Sequence, residues 1–150
     1  MHNHLTINLI FLLFSAEKYF ELVANGNDPE GWNKLAKIYV DQKGVKYYVK
    51  ALKLLQKSVE SNNASGMSKL GYMYEMGFGT KKNDIAAVNY YTLSVDQNYA
   101  KAQYNLGLMY EFGCGGLKKD IKKALELYNL AYKQGIIEAK ERIDLLLKLK

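Results

Sequence analysis

The fold is decided by residues 102–135, which read AQYNLGLMYEFGCGGLKKDIKKALELYNLAYKQG. One alanine of this stretch, Ala124, has counterparts at Ala16, Ala51 and Ala87, so the pattern recurs about every 36 residues. Nineteen positions after each of these alanines comes a branched aliphatic residue: Leu35, Leu70, Leu106 and Ile143. A fixed internal period of this size indicates a solenoid of stacked repeats.

Each anchoring alanine begins an apolar stripe that predicts a helix. After Ala87, for example, apolar side chains follow at Tyr90, Tyr91 and Val95, a spacing that places them on one helical face. Eleven positions after each alanine comes a residue that tolerates left-handed backbone and so predicts the helix end: Asn27, Asn62, Asn98 and Gly135.

A second predicted helix precedes this one in every unit. It contains small residues at two recurring positions, such as Ala102 and Gly107, and a tyrosine such as Tyr110. Glycine inside a helix costs about 1 kcal/mol relative to alanine, so close helix crossing is the expected reason for Gly107. Loops 77–84 and 113–120 connect the two helices, and the predicted caps of the helices are Asp28, Asn63, Asp84, Asn98 and Asp120.

These recurring positions resemble the Sel-one-like repeat, a relative of the tetratricopeptide repeat. The third unit carries the pattern most fully, at Ala102, Leu106-Gly107, Tyr110, Gly113, Gly115, Asp120, Ala124, Tyr128, Ala131 and Gly135. The resemblance implies an all-α fold, a right-handed α-α superhelix (solenoid) of antiparallel helix pairs with a concave face. It also implies an adaptor or scaffold that assembles other proteins. Some secreted bacterial relatives carry a disulfide in each repeat, and this chain lacks those cysteine pairs.

The period divides the chain into an N-terminal segment and an array. We expect residues 16–150 to form the solenoid, with a partial repeat at 16–27, repeats at 28–62, 63–98 and 99–135, and a C-terminal half repeat at 136–150. Residues 1–15 contain the apolar run LTINLIFLLF, which is too short to span a bilayer. This run is either an N-terminal helix that covers the first repeat or the hydrophobic part of a secretory signal.

The charge of the chain favours a solvated surface over a nucleic-acid binding surface. The formal net charge is +6, but the basic residues are lysines except for Arg142. Nucleic-acid binders favour arginine, whose guanidinium bonds bidentately to bases and phosphates, so a solvated lysine surface is the favoured interpretation. The alternative function is a basic surface that binds nucleic acid or an anionic membrane, with Lys118, Lys119, Lys122 and Lys123 as its candidates.

The first helix of each unit is expected to line the concave face. Positions that the packing pattern leaves unused there are the candidate contacts for an unidentified protein or peptide. An exposed tyrosine or leucine on a groove resembles the anchor residues that dominate interface energetics, although these tyrosines could instead pack sideways against neighbouring helices. The candidates are Asn33, Lys37, Ser68, Tyr72, Glu75, Tyr104, Leu108 and Glu111.

No group of residues predicts catalysis, a cofactor or a metal. The histidines are His2 and His4, far along the chain from Cys114, and a solenoid makes contacts only between neighbouring repeats. The Gly-x-Gly loops follow helices and lack the Lys-Ser/Thr of a phosphate-binding loop. We therefore expect no enzyme. One cysteine excludes an internal disulfide, which fits a reducing compartment such as the cytoplasm, or export without disulfides.

The last predicted helix has no partner helix in the sequence. Its exposed leucines, Leu145 and Leu149, predict a monomer that self-associates weakly through this helix.

Overall fold

The structure is a computed structural model that describes residues 18–19, 21–22 and 25–148. The predicted N-terminal segment 1–15 and Leu149 lie outside this range. Seven helices lie within residues 25–148, and no strand occurs among the described residues. They are α1 (Pro29–Asp41), α2 (Val45–Glu60), α3 (Ala64–Met76), α4 (Asp84–Asp96), α5 (Ala100–Phe112), α6 (Ile121–Lys133) and α7 (Ile137–Lys148).

The helices form three hairpins, α1–α2, α3–α4 and α5–α6, followed by the single helix α7. Each helix packs mainly against the other helix of its hairpin and then against the next hairpin along the chain. This neighbour-only packing is the property that defines a solenoid. The predicted all-α solenoid of antiparallel helix pairs is confirmed.

Polar side chains fix where the helices begin. Asp28 accepts hydrogen bonds from the backbone N–H groups of Glu30 and Gly31, both at 3.1 Å. Asn63 and Asp120 cap α3 and α6 in the same way, as the sequence predicts.

Two of the predicted caps are wrong. The cap of α4 is Asn83, whose side chain accepts from the N–H of Ala86 at 3.0 Å, and Asp84 is already the first residue of the helix. Asn98 does not cap α5, because its backbone has a φ of 59° and ends the preceding helical segment instead. Its side chain accepts a hydrogen bond from Gln103 Nε2 at 2.7 Å.

The repeating anchors form the core. The leucines at the recurring aliphatic position, Leu35, Leu70 and Leu106, are at most 5% exposed. Burial of each such side chain contributes about 1.5–3 kcal/mol to stability. The recurring alanines of the second helices, Ala51, Ala87 and Ala124, are completely buried where the two helices of a hairpin approach each other. The sequence period therefore corresponds to one packing unit of the core.

Candidate functional site

The first helices of the hairpins, α1, α3 and α5, together with α7, form one surface that we call the first-helix face. Two cavities lie on it. The first, of about 330 Å³, lies between α1 and α3 and extends to Lys101 on α5; we call it the Lys69 cavity. The second, of about 210 Å³, lies between α5 and α7 and also has Lys101 in its wall. The two cavities therefore follow one another along the array.

Five of the eight predicted contact residues are at least partly accessible. Tyr72 is 41% exposed, and its ring lies edge-on to Phe78 with 5.9 Å between the centroids. Lys37 is exposed and pairs with Asp41 on the same helix at 2.8 Å. The other three are half-buried: Glu75, Tyr104 and Leu108. Tyr104 and Leu108 also pack against the C-terminal core cluster, so these side chains combine packing with partial exposure.

The other three predicted contact residues, Asn33, Ser68 and Glu111, are buried, so the prediction that they are free surface positions is wrong. Asn33 donates from Nδ2 to Asn63 Oδ1 at 2.9 Å and so links α1 to the cap of α3. Ser68 occupies the position in α3 that Asn33 occupies in α1, and it is buried at the same side of the helix.

Glu111 is buried because it holds two helices to α5. Its carboxylate accepts a hydrogen bond from the hydroxyl of Tyr128 on α6 at 2.6 Å. It also forms an ion pair with Arg142 on α7, whose Nε donates to it at 3.2 Å. Arg142, the one arginine of the sequence, therefore has a structural role in joining α7 to α5.

A tyrosine–glutamate pair occurs in two successive hairpins. The hydroxyl of Tyr91 donates to Glu75 at 2.6 Å, as that of Tyr128 does to Glu111. Burial raises the pKa of Tyr91, and the hydrogen bond to Glu75 and the charge of that carboxylate raise it further. Burial also raises the pKa of Tyr128, with a smaller contribution from Tyr104. Both phenols therefore act as neutral hydrogen-bond donors to a buried or half-buried carboxylate.

The first hairpin departs from this arrangement. Val40 stands where the later hairpins have Glu75 and Glu111, and Leu55 stands where they have the two tyrosines. Both side chains line the Lys69 cavity. The sequence analysis missed this site, although comparing the three repeats column by column would have found the missing acid.

Among the described residues that line this cavity, Lys69 is the least exposed charged residue. Burial lowers the pKa of Lys69, the carboxylate of Glu30 raises it, and the neighbouring cations Lys101 and Lys37 lower it again. Its Nζ is hydrogen-bonded to Ser65 Oγ. Neither Lys69 nor Lys101 forms an ion pair with any residue that the structure describes.

The described part of the chain contains no cluster of three or more metal-ligating side chains. Cys114 is half-buried in the loop after α5, and the two histidines lie outside the described residues. None of the helices within residues 25–148 has the length and apolar character that crossing a bilayer requires.

The chain belongs to the Sel1 repeat family. The sequence profile of the Sel1 repeat matches residues 33–63, 64–99 and 100–136, which is more than half of the chain. This confirms the resemblance deduced from the recurring positions. Proteins of this family generally serve as scaffolds for protein–protein interaction. No curated protein matches the sequence.

Solved structures show the same architecture. A Sel1 repeat protein from Oxalobacter formigenes is 30% identical, with a TM-score of 0.73 over 90% of this chain and 58% of that one. The protective antigen c5321 of uropathogenic Escherichia coli is 29% identical, with a TM-score of 0.73 over 89% of this chain and 28% of that one. Cysteine-rich protein B of Helicobacter pylori is 26% identical, with a TM-score of 0.65 over 86% and 92% of the two chains. The chain thus spans less than two thirds of the first two proteins.

Proposed function

We propose that this protein is a scaffold or adaptor that binds a peptide or protein segment along the concave, first-helix face of its solenoid. The observation that carries the proposal is the alignment of the two cavities along that face, with Lys101 in the wall of both. An extended peptide segment can cross several repeats at once and so contact both cavities. The family's general role as an interaction scaffold supports the same function.

Tyr72 is the proposed anchor of this surface. It lines the Lys69 cavity and keeps 41% of its surface exposed, so a partner can cover it without unfolding the hairpin. Aromatic side chains of this kind contribute large contact area at low entropic cost. Lys37, Glu75, Tyr104 and Leu108 complete the proposed surface.

The alternative, a nucleic-acid surface, has less support. Arg142 is the residue best suited to phosphate or base contacts, and its guanidinium is already paired with Glu111 inside the fold. The remaining basic residues are lysines, and binding through them would show steep dependence on salt concentration.

Tyr72→Ala tests the proposed surface. The assay is the selection of peptides from a displayed library of random dodecapeptides. We expect peptides that are enriched on the intact chain to lose most of that enrichment on the variant. Truncation of an interface anchor typically costs about 2 kcal/mol or more. The control is Tyr132→Ala on α6, a second helix, because Tyr132 has the same exposure of 41%. Equal losses in the two variants, or no enrichment on the intact chain, would contradict the proposal.

Weak self-association through α7 is a second proposal about the same molecule. Leu145 is 45% exposed on α7, which has no partner helix among the described residues. Sedimentation velocity at increasing concentration is expected to show a rising dimer fraction that Leu145→Lys removes and Leu93→Lys on α4 does not. Leu93 is a suitable control because it is 47% exposed. A monomer at every concentration would reject the dimer.

A further inference from the structure

The Lys69 cavity corresponds to a place that a carboxylate occupies in the later repeats. In the second and third hairpins, Glu75 and Glu111 reach from the first helix to a tyrosine of the second helix. In the first hairpin Val40 and Leu55 hold these two positions, and neither supplies a polar group. The difference leaves an opening of about 330 Å³ between α1 and α3.

In the third hairpin a cation completes this arrangement. Arg142 on α7 pairs with Glu111 from the preceding hairpin. Lys69 on α3 occupies the equivalent position for the first hairpin, and the residue facing it from α1 is Val40. The first hairpin therefore faces the basic residue of such a pair, Lys69 on α3, and lacks the acid.

The surroundings of Lys69 are basic on balance. Lys37 and Lys101 also line the cavity, and Asp41 is the one acid among the described residues of its wall. Asp41 is engaged by Lys37 at 2.8 Å. Glu30 is the other carboxylate that influences Lys69, and the lowered pKa of Lys69 shows that it does not offset the cost of burial. An incoming carboxylate would remove this penalty by supplying a counter-charge.

We infer that the Lys69 cavity binds a glutamate side chain of an acidic peptide segment, whose carboxylate takes the place that Glu75 and Glu111 fill in the later repeats. This inference rests on the proposed function and specifies the chemistry of the partner. The methylene groups of the glutamate contact Val40 and Leu55, while its carboxylate pairs with Lys69. Lys101, in the wall of the same cavity, favours a further acidic residue beside this glutamate.

A peptide selection tests the inference directly. Dodecapeptides enriched on the intact chain from a random displayed library are expected to contain glutamate next to apolar residues. Synthetic versions in which that glutamate is replaced by glutamine should bind about tenfold more weakly, since a hydrogen bond to a charged group is lost. Lys69→Gln should weaken binding of the glutamate peptide by a similar factor, and Lys122→Gln on α6 should leave it unchanged.

The variant Val40→Glu supplies the missing carboxylate from the chain itself. We expect it to melt at least about 2 °C higher than the matched variant Val40→Gln, because the new carboxylate pairs with Lys69. We also expect it to exclude the selected peptides. The melting comparison requires no ligand. It therefore tests whether Lys69 stabilises a carboxylate in this cavity even if every selected peptide binds elsewhere.

The outcomes separate this inference from the proposed function. Peptides that depend on Tyr72 but contain no acidic residue, or that bind Val40→Glu as well as the intact chain, would overturn the glutamate site and leave the scaffold proposal standing. A library from which nothing is enriched would overturn both. A Val40→Glu variant that melts below Val40→Gln would overturn the correspondence between the first and later repeats.

Discussion

Gly107→Val is expected to lower the free energy of unfolding by about 2–3 kcal/mol, the upper part of the usual cost of overpacking a core. A Cβ atom at this position would lie 2.7 Å from Cε1 and 2.9 Å from Cδ1 of Tyr128. The ring of Tyr128 is completely buried, and its hydroxyl is held by Glu111 at 2.6 Å, so it has little freedom to move aside. The valine must therefore separate α5 from α6.

Lys122→Ala is the control for this substitution, because Lys122 is exposed on α6 and its removal should change stability by less than about 0.5 kcal/mol. For a domain of this size, the expected difference between the two variants corresponds to roughly 4–12 °C in melting temperature. Thermal unfolding followed by circular dichroism at 222 nm measures it. Equal melting temperatures would show that the two helices do not cross at Gly107.

The sequence period predicted the stacking of the hairpins because the same residues recur where the backbones touch. Gly71 lies against Tyr91 in the second hairpin as Gly107 lies against Tyr128 in the third. Close approach of two helices admits only small side chains, so this requirement is visible in the sequence without coordinates. The buried leucines at Leu70 and Leu106 follow from the same repeat.

The candidate site was predicted less well than the fold. Several residues that the sequence pattern assigned to the exposed side of the first helices lie on the side that faces the core. The accessible stripe of α3 contains Lys69, Tyr72 and Met76, which are spaced three or four residues apart. The predicted positions Ser68 and Glu75 are seven residues apart and lie at the edge of this stripe. Each step along a helix rotates the side chain by about 100°. A shift of one or two positions therefore decides whether a side chain contacts solvent or the next hairpin.

The repeat period also did not predict the ion pair that links one repeat to the next. Glu111 and Arg142 are both charged, and on a helix surface charged residues are usually solvated. Glu111 is buried because it pairs with Arg142 on α7, outside its own hairpin, so neither residue signals the pair alone. The same reasoning explains why Lys69 was missed: its importance comes from the valine that faces it.

Glu111→Ala is expected to be the most damaging polar substitution in the described part of the chain. It leaves the guanidinium of Arg142 and the hydroxyl of Tyr128 without their acceptor, and breaking a buried pair in this way typically costs about 3–5 kcal/mol. Arg142 keeps 25% of its side chain exposed and can regain some hydration, so we expect a loss of about 3 kcal/mol, near the lower limit.

Glu75→Ala is the matched control, because Glu75 accepts the same tyrosine hydrogen bond in the second hairpin but faces no arginine. Its loss should cost about 1–2 kcal/mol, the value for one unsatisfied hydroxyl. Hydrogen exchange should show that Glu111→Ala exposes α7 first, since Arg142 is the charged link between α5 and that helix. Adding Arg142→Met to Glu111→Ala should recover part of the stability, because it removes the unpaired charge. Suppose that Glu111→Ala and Glu75→Ala are equally stable and that Arg142→Met restores no stability to Glu111→Ala. The ion pair would then not be what holds α7 to the solenoid.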